Sequence, residues 1–229
     1  MYKDSDDLGK YYVYGKVISG KVAKGMTLTL IPSKRSIKID KILNDEDKEY
    51  AVIGENENCK LYFQNIDFGD IKKGYVIASS NPTIYCCYEI EAEFEVFYLD
   101  EESIFSTGFE AILHIHTAEE IVTVTKITKN YSNNNLNKKY LRKGDIGLIR
   151  LKSNNILCVE KYEFINKLGC FILRKNTSTI GKGIIKRLKP VTQTTNNTID
   201  ISNYDDIALN NNNIEDNNNI FNDGIGEDI

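Results

Sequence analysis

Residues 89 to 96 read EIEAEFEV, and no other stretch of this 229-residue chain limits the fold as tightly. Ile90, Ala92, Phe94 and Val96 alternate with Glu89, Glu91, Glu93 and Glu95. Successive side chains of an extended strand point to opposite faces, so a strict period of two gives one face to a core and the other to the outside. A helix would scatter the same residues around its girth. Four like charges on one face repel one another, and the pattern predicts a solvated acidic face rather than a buried catalytic pair.

The same alternation recurs in shorter runs. Val13, Gly15 and Val17 share one face of YYVYGKVI, Thr27-Leu28-Thr29-Leu30 alternates again, and Ser19-Gly20 between them predicts a hairpin. Ile37 and Ile39, Asn58 to Phe63 and Tyr75 to Ala78 add strands, punctuated by Gly25, Gly54, Gly69 and Gly74. Beyond residue 96 come Phe109 to His116, Ile121 to Ile127, Ile146 to Leu151, Ile156 to Val159, Gly169 to Leu173 and Ile180 to Leu188, with a polar excursion, KNYSNNNLNKK, among them. Many half-apolar strands bury their faces without open edges by closing into barrels. The expected fold is all-β, with two tandem small antiparallel β-barrels at residues 10–80 and 86–190. SSNPTIY, residues 79–85, is the linker, since Pro82 disfavours helix and central strand alike. With 41% apolar residues the chain has enough material for two cores.

After Pro190 the composition changes. Residues 191–229 are Asn-rich, with eight acids, no Lys or Arg, and isolated Ile at no period, which predicts a disordered tail. The tail hides the charge of the body, which carries about +4 against a chain total of −4. Within the body, residues 126–189 hold sixteen Lys and Arg against three acids, whereas residues 87–125 hold ten acids and no base. The basic segment also contains Tyr131, Tyr140, Tyr162, Phe164 and Phe171, a mixture that suits RNA or an acidic protein as well as a simply solubilised barrel.

Little in the chain looks catalytic. No GxxxxGK[ST] loop presents the backbone N–H groups that cradle a nucleotide's phosphates, and Gly181-Lys182-Gly183 reads as a bulge or close strand crossing. His114 and His116, the two histidines of the chain, would sit on one strand face about 7 Å apart, a spacing some metal sites use. A third ligand would have to come from Glu119, Glu120 or a distant cysteine, so no metal, cofactor or catalytic residue is assigned, and a small metalloenzyme built on the pair is the remote alternative. Cys59, Cys86, Cys87, Cys158 and Cys170 are odd in number and lack CxxC spacing, which fits reduced thiols. Asn130, Asn176 and Asn197 open Asn-x-Ser/Thr triplets that carry no weight without a secretory signal. Without a long apolar window or a signal at the N-terminus, the expectation is a cytoplasmic protein that does not enter a membrane.

Two stretches carry a resemblance: Glu110 to Ile127, EAILHIHTAEEIVTVTKI, and Leu168 to Leu188, LGCFILRKNTSTIGKGIIKRL. Together they are similar to the third domain of translation factors in the elongation factor 1-alpha and release-factor group. The pattern HIHT followed by paired glutamates is nearest to the eukaryotic peptide chain release factor GTP-binding subunit. YGKVISGKVAKGMTLTLIPSK resembles the second-domain segment of these factors, and NENCKLYFQNID with DIKKGYVIAS continues it, so the likeness spans roughly residues 10–190. The hallmark usually reads LGRFTLRD and then TIAIGK; here Cys170 stands for the Arg, Lys175 for the Asp, and Ile180-Gly181 lacks the Ala-Ile insertion.

The resemblance implies binding rather than turnover. The first barrel would sit beside the switch regions of a nucleotide-binding domain and face the small ribosomal subunit, while the second would hold the class I release factor. The nucleotide-binding domain, with its GTP and Mg, is expected outside this sequence, which then reads as part of a longer factor or a divergent paralogue. Gly169, Phe171, Leu173, Arg174, Thr179 and Gly183, with His114, His116 and Thr117 nearby, are the expected partner-facing or partner-supporting residues. Arg174 would be a bidentate donor to a carboxylate. The expected state is a monomer. The equivalent domains of the Pelota-partner ribosome-rescue GTPase, or of a divergent elongation factor 1-alpha, are the alternative.

Overall fold

A computed structural model describes residues 2–3, 11–64, 66, 69–79, 84–100, 103–132, 139–193 and 199–201. Most of the linker, residues 80–83, and most of the polar excursion, residues 133–138, lie outside the described residues. The first unit contains β1 (Tyr2–Lys3), β2 (Tyr11–Lys16), β3 (Val22–Ala23), β4 (Thr27–Ile31), β5 (Arg35–Leu43), β6 (Val52–Ile53), β7 (Asn58–Gln64) and β8 (Val76–Ala78). The second contains β9 (Tyr85–Val96), β10 (Phe105–Ser106), β11 (Glu110–Ile115), β12 (Ala118–Asn130), β13 (Tyr140–Leu141), β14 (Ile146–Val159), a one-turn helix α1 (Asn166–Gly169), β15 (Cys170–Lys175) and β16 (Ser178–Gln193). A last strand, β17 (Ile199–Ile201), pairs with the end of β16.

The first sheet runs β1-β2-β7-β5-β4-β8, with β3 and β6 as a separate ribbon. Leu30, Ile37, Ile39, Ile42 and Cys59 fill its core. The hairpin expected around Ser19-Gly20 does not form. β2 instead takes β7 as its neighbour, Val13 opposite Leu61, while β4 lies between β5 and β8. Gly20 still bends the chain with a φ of 78°, but the next strand, β3, pairs with β6 rather than with β2.

The second barrel closes. Its order is β15-β11-β12-β14-β9-β16, and an additional ladder from β16 back to β15 completes a six-strand ring. Phe94, Phe105, Leu113, Ile115, Leu141, Ile149 and Leu151 are fully buried inside it. The two predicted strands at 146–151 and 156–159 are one strand, β14, interrupted by a register shift between Lys152 and Leu157. Gly169 ends α1 rather than beginning a strand. The tail also departs from expectation. Val191, Thr192 and Gln193 pair with Ile201, Asp200 and Ile199. The remainder, residues 202–229, lies outside the described residues.

The acidic face of β9 is only partly solvated. Glu91 is 1% exposed. Its carboxylate meets Arg150 Nε at 2.8 Å and Arg187 at 3.4 Å. Glu89 pairs with Lys189 at 3.3 Å, Glu95 with Lys182 at 3.2 Å and Glu93 with Lys186 at 3.8 Å. β9 is flanked by β14 and β16, whose registers place Arg150 and Arg187 directly opposite Glu91. Four of the ten acids of the acidic block and five of the sixteen Lys and Arg of the basic block therefore pair with each other within one barrel wall.

Candidate partner face and inter-barrel junction

The nine residues singled out from the sequence fall into three places. Phe171 and Leu173 point inward and are buried, as pleat alternation on β15 requires. Gly183 and Gly169 are also buried, for lack of room. A Cβ on Gly183 would run into the Phe171 ring, and one on Gly169 into the Tyr162 backbone. The Gly181 and Gly183 segment is thus a close strand crossing, with a register shift opposite Leu173 and Arg174.

His114, Arg174 and Thr179 face outward, and cross-strand pairing sets them in two adjacent rows. One row runs Ile121, Ile112, Arg174, Thr179 across β12, β11, β15 and β16; the next runs Glu119, His114, Ile172, Lys182. Ile121 is 59% exposed, Ile112 39% and Ile172 38%. Three β-branched apolar side chains on one outer wall, flanked by a guanidinium, an imidazole and two charges of opposite sign, form a surface suited to a protein partner. These isoleucines escaped notice in the sequence, although the parity of Leu113, Ile115, Phe171 and Leu173 dictates that Ile112 and Ile172 point out. The Arg174 Nη2 donates to the Thr177 carbonyl at 3.1 Å, while its Nε is buried without a hydrogen-bond acceptor among the described residues. An N–H in that condition is stabilised by an incoming acceptor.

His116 and Thr117 occupy a third place, the seam between the barrels. They form the β11–β12 turn, where His116 has a φ of 41°, and this left-handed residue breaks the strand alternation. The two imidazoles consequently do not share a face. His114 Nδ1 lies 3.8 Å from Glu119, whereas His116 Nε2 is hydrogen-bonded to the Cys158 carbonyl at 3.0 Å. Burial holds the His116 pKa below its usual value, partly offset by that carbonyl. Among the described residues, no group of three or more His, Cys, Asp or Glu is placed to hold a metal ion. Across the seam the Gly74 N–H donates to Thr117 Oγ1 at 3.1 Å. Gly74 has a φ of 86°, and a Cβ there would stand 2.9 Å from that of Ala118. Lys167 of α1 reaches Asn56 of the first unit.

Residues 91–186 match the model of one family, described as GTP-eEF1A C-terminal domain-like. The match lies within the second barrel. That barrel and the unit before it are together similar to the eukaryotic peptide chain release factor GTP-binding subunit. The protein of that name from Ogataea pini is 32% identical over 187 residues, 80% of this chain and 25% of its own length. That of Candida albicans is 32% identical over 187 residues, covering 80% and 26%. The chain thus spans about a quarter of the length of these curated relatives. Sup35 complexed with GDP superposes with a TM-score of 0.70 at 24% identity, over 79% of this chain and 46% of that one, which shows the shared fold. Sup35 complexed with GMPPNP gives 0.72 at 24% identity, over 80% and 44%. The likeness read from HIHT and LGCFILRK therefore extends across both barrels. Among the described residues no helix is long and apolar enough to cross a membrane.

Proposed function

We propose that these barrels are a non-catalytic binding module of a translation-termination GTPase. The outer wall of the second barrel holds a class I release factor, and the first barrel lies toward the small ribosomal subunit. GTP and Mg then act in a nucleotide-binding domain of the same factor and touch none of the residues described above. The module works in the cytoplasm as a monomer. What supports the partner assignment is the exposed isoleucine wall of Ile112, Ile121 and Ile172 beside Arg174, on a barrel similar to that of proteins named release factor subunits.

The docking chemistry differs from that expected of a basic surface. Arg150, Lys182, Lys186, Arg187 and Lys189 are already paired with β9, so attachment relies on apolar burial centred on the isoleucines, with Arg174 as the polar anchor. Capture of the cognate class I release factor is measured for the native sequence, Ile121→Asp, Ile172→Asp, Arg174→Ala and, as a remote control, Lys48→Glu. The isoleucine variants lose roughly tenfold or more in affinity, the change for about 1.4 kcal/mol, while Lys48→Glu binds normally. Undiminished binding by both isoleucine variants would refute the assignment of this wall. Capture of Pelota in place of the release factor would move the module to ribosome rescue.

A further inference from the structure

Cys86 on β9 and Cys158 on β14 are direct cross-strand partners in an antiparallel ladder. Such partners have Cα atoms about 4.5–5.5 Å apart, inside the range of about 4.4–6.8 Å that a disulfide accepts. Cys158 is 1% exposed, whereas Cys86 is partly open to solvent. The other cysteines are poorly placed to compete. Cys87 follows Cys86 on the strand but points into the core opposite Leu157, Cys59 lies in the first core, and Cys170 is exposed on β15.

We propose that Cys86 and Cys158 are a redox modification site, converted by a hydroperoxide into a cross-strand disulfide at the seam between the barrels. The Cys158 thiol donates to the Cys86 sulfur, which holds the Cys86 pKa below its ordinary value and that of Cys158 above it. Cys86 is thus the more readily ionised of the two thiols and also the sulfur an oxidant can reach. Its sulfur attacks the peroxide O–O bond, forms an S–O bond and releases hydroxide, leaving a sulfenic acid. The Cys158 sulfur then attacks Cys86 sulfur, the S–O bond breaks, and the Cys158 proton leaves with the oxygen as water. Two thiols are oxidised and one hydroperoxide is reduced.

The location gives the bond a consequence. The Cys158 carbonyl accepts from His116, and its sulfur accepts from the Val76 N–H of the first unit. The bridge would therefore clamp the start of β9 to the strand that touches both the His116 turn and β8. This inference rests on the two strands alone and stands or falls apart from the partner assignment.

The test uses the full chain with Cys170→Ser, which leaves four thiols, exposed to hydrogen peroxide and then denatured for thiol titration and peptide mapping. The expected result is a fall from four thiols to two, a Cys86–Cys158 linked peptide, a higher midpoint of thermal unfolding, and reversal of all three by dithiothreitol. Adding Cys86→Ser leaves every remaining thiol intact, while adding Cys158→Ala leaves a Cys86 sulfenic acid that a dione reagent captures. A linkage between any other pair, oxidation of Cys86 beyond sulfenic acid with Cys158 present, or four surviving thiols would overturn the proposal.

Discussion

Glu91→Gln removes the negative charge at the centre of the β9 wall while keeping its volume. The Glu91 side chain is 1% exposed, against 27% for Arg150 and 54% for Arg187. Breaking a fully buried pair costs about 3–5 kcal/mol, because a stranded charge stays buried. Here both stranded cations retain water, so the cost is smaller. The 2.8 Å contact with Arg150 is a charge-assisted hydrogen bond contributing roughly 1.5–3 kcal/mol. The Arg187 contact is discounted for its exposure to about 0.5 kcal/mol. The sum is a loss of about 2–3.5 kcal/mol. With a urea slope of about 1–3 kcal/mol per M, the unfolding midpoint of the second barrel falls by roughly 1 M. Glu93→Gln, whose side chain is 40% exposed, shifts it by less than about 0.5 kcal/mol. Equal small shifts for both glutamines would show that the acidic face is solvated after all and would sink the ladder reading.

Three further outcomes follow from the geometry. Leu173→Ala empties a fully buried site and costs about 3–5 kcal/mol, read by chemical denaturation; a neutral effect on stability with lost partner capture would make Leu173 an interface residue instead. Gly74→Ala forces a left-handed alanine against Ala118 and loosens the seam, at about 2 kcal/mol, seen as faster amide exchange at residues 74–76. The depressed His116 pKa means the unfolded chain binds the extra proton first. Its contribution to stability is therefore intact above the unfolded value of about 6.5 and declines as pH falls below that value. Glu160, whose pKa burial raises, acts in the opposite sense above about pH 4.5, so the comparison is made between the native sequence and His116→Gln. The difference in stability between the two should narrow from pH 7 to 5, and parallel pH profiles would contradict the assignment.

Alternation within a strand was legible; the neighbour of each strand was not. EIEAEFEV declared its buried face in eight residues, and Phe94 and Val96 are in the core as the period demands. The fate of its other face depended on Arg187, which lies 96 positions further along the chain and across a register that local pattern does not encode. The misplaced hairpin at Ser19-Gly20 has the same cause, since β2 takes a partner from β7 across an intervening ribbon. At the candidate site, period two put both imidazoles of HIHT on one strand face and could not foresee that His116 adopts a positive φ. Conversely, Ile112 and Ile172 obey the pleat, and their outward placement follows once Leu113 and Phe171 are assigned to the core.

The rungs between β9 and β16 have one more effect. Apolar alternation tolerates a slide of two residues, because inward side chains remain inward. The row from Glu89 to Lys189 through Glu95 to Lys182 does not, since such a slide would strand an unpaired charge at each end and offset every couple between. The wall thus works as a vernier, rejecting the misalignments that greasy packing alone would let pass.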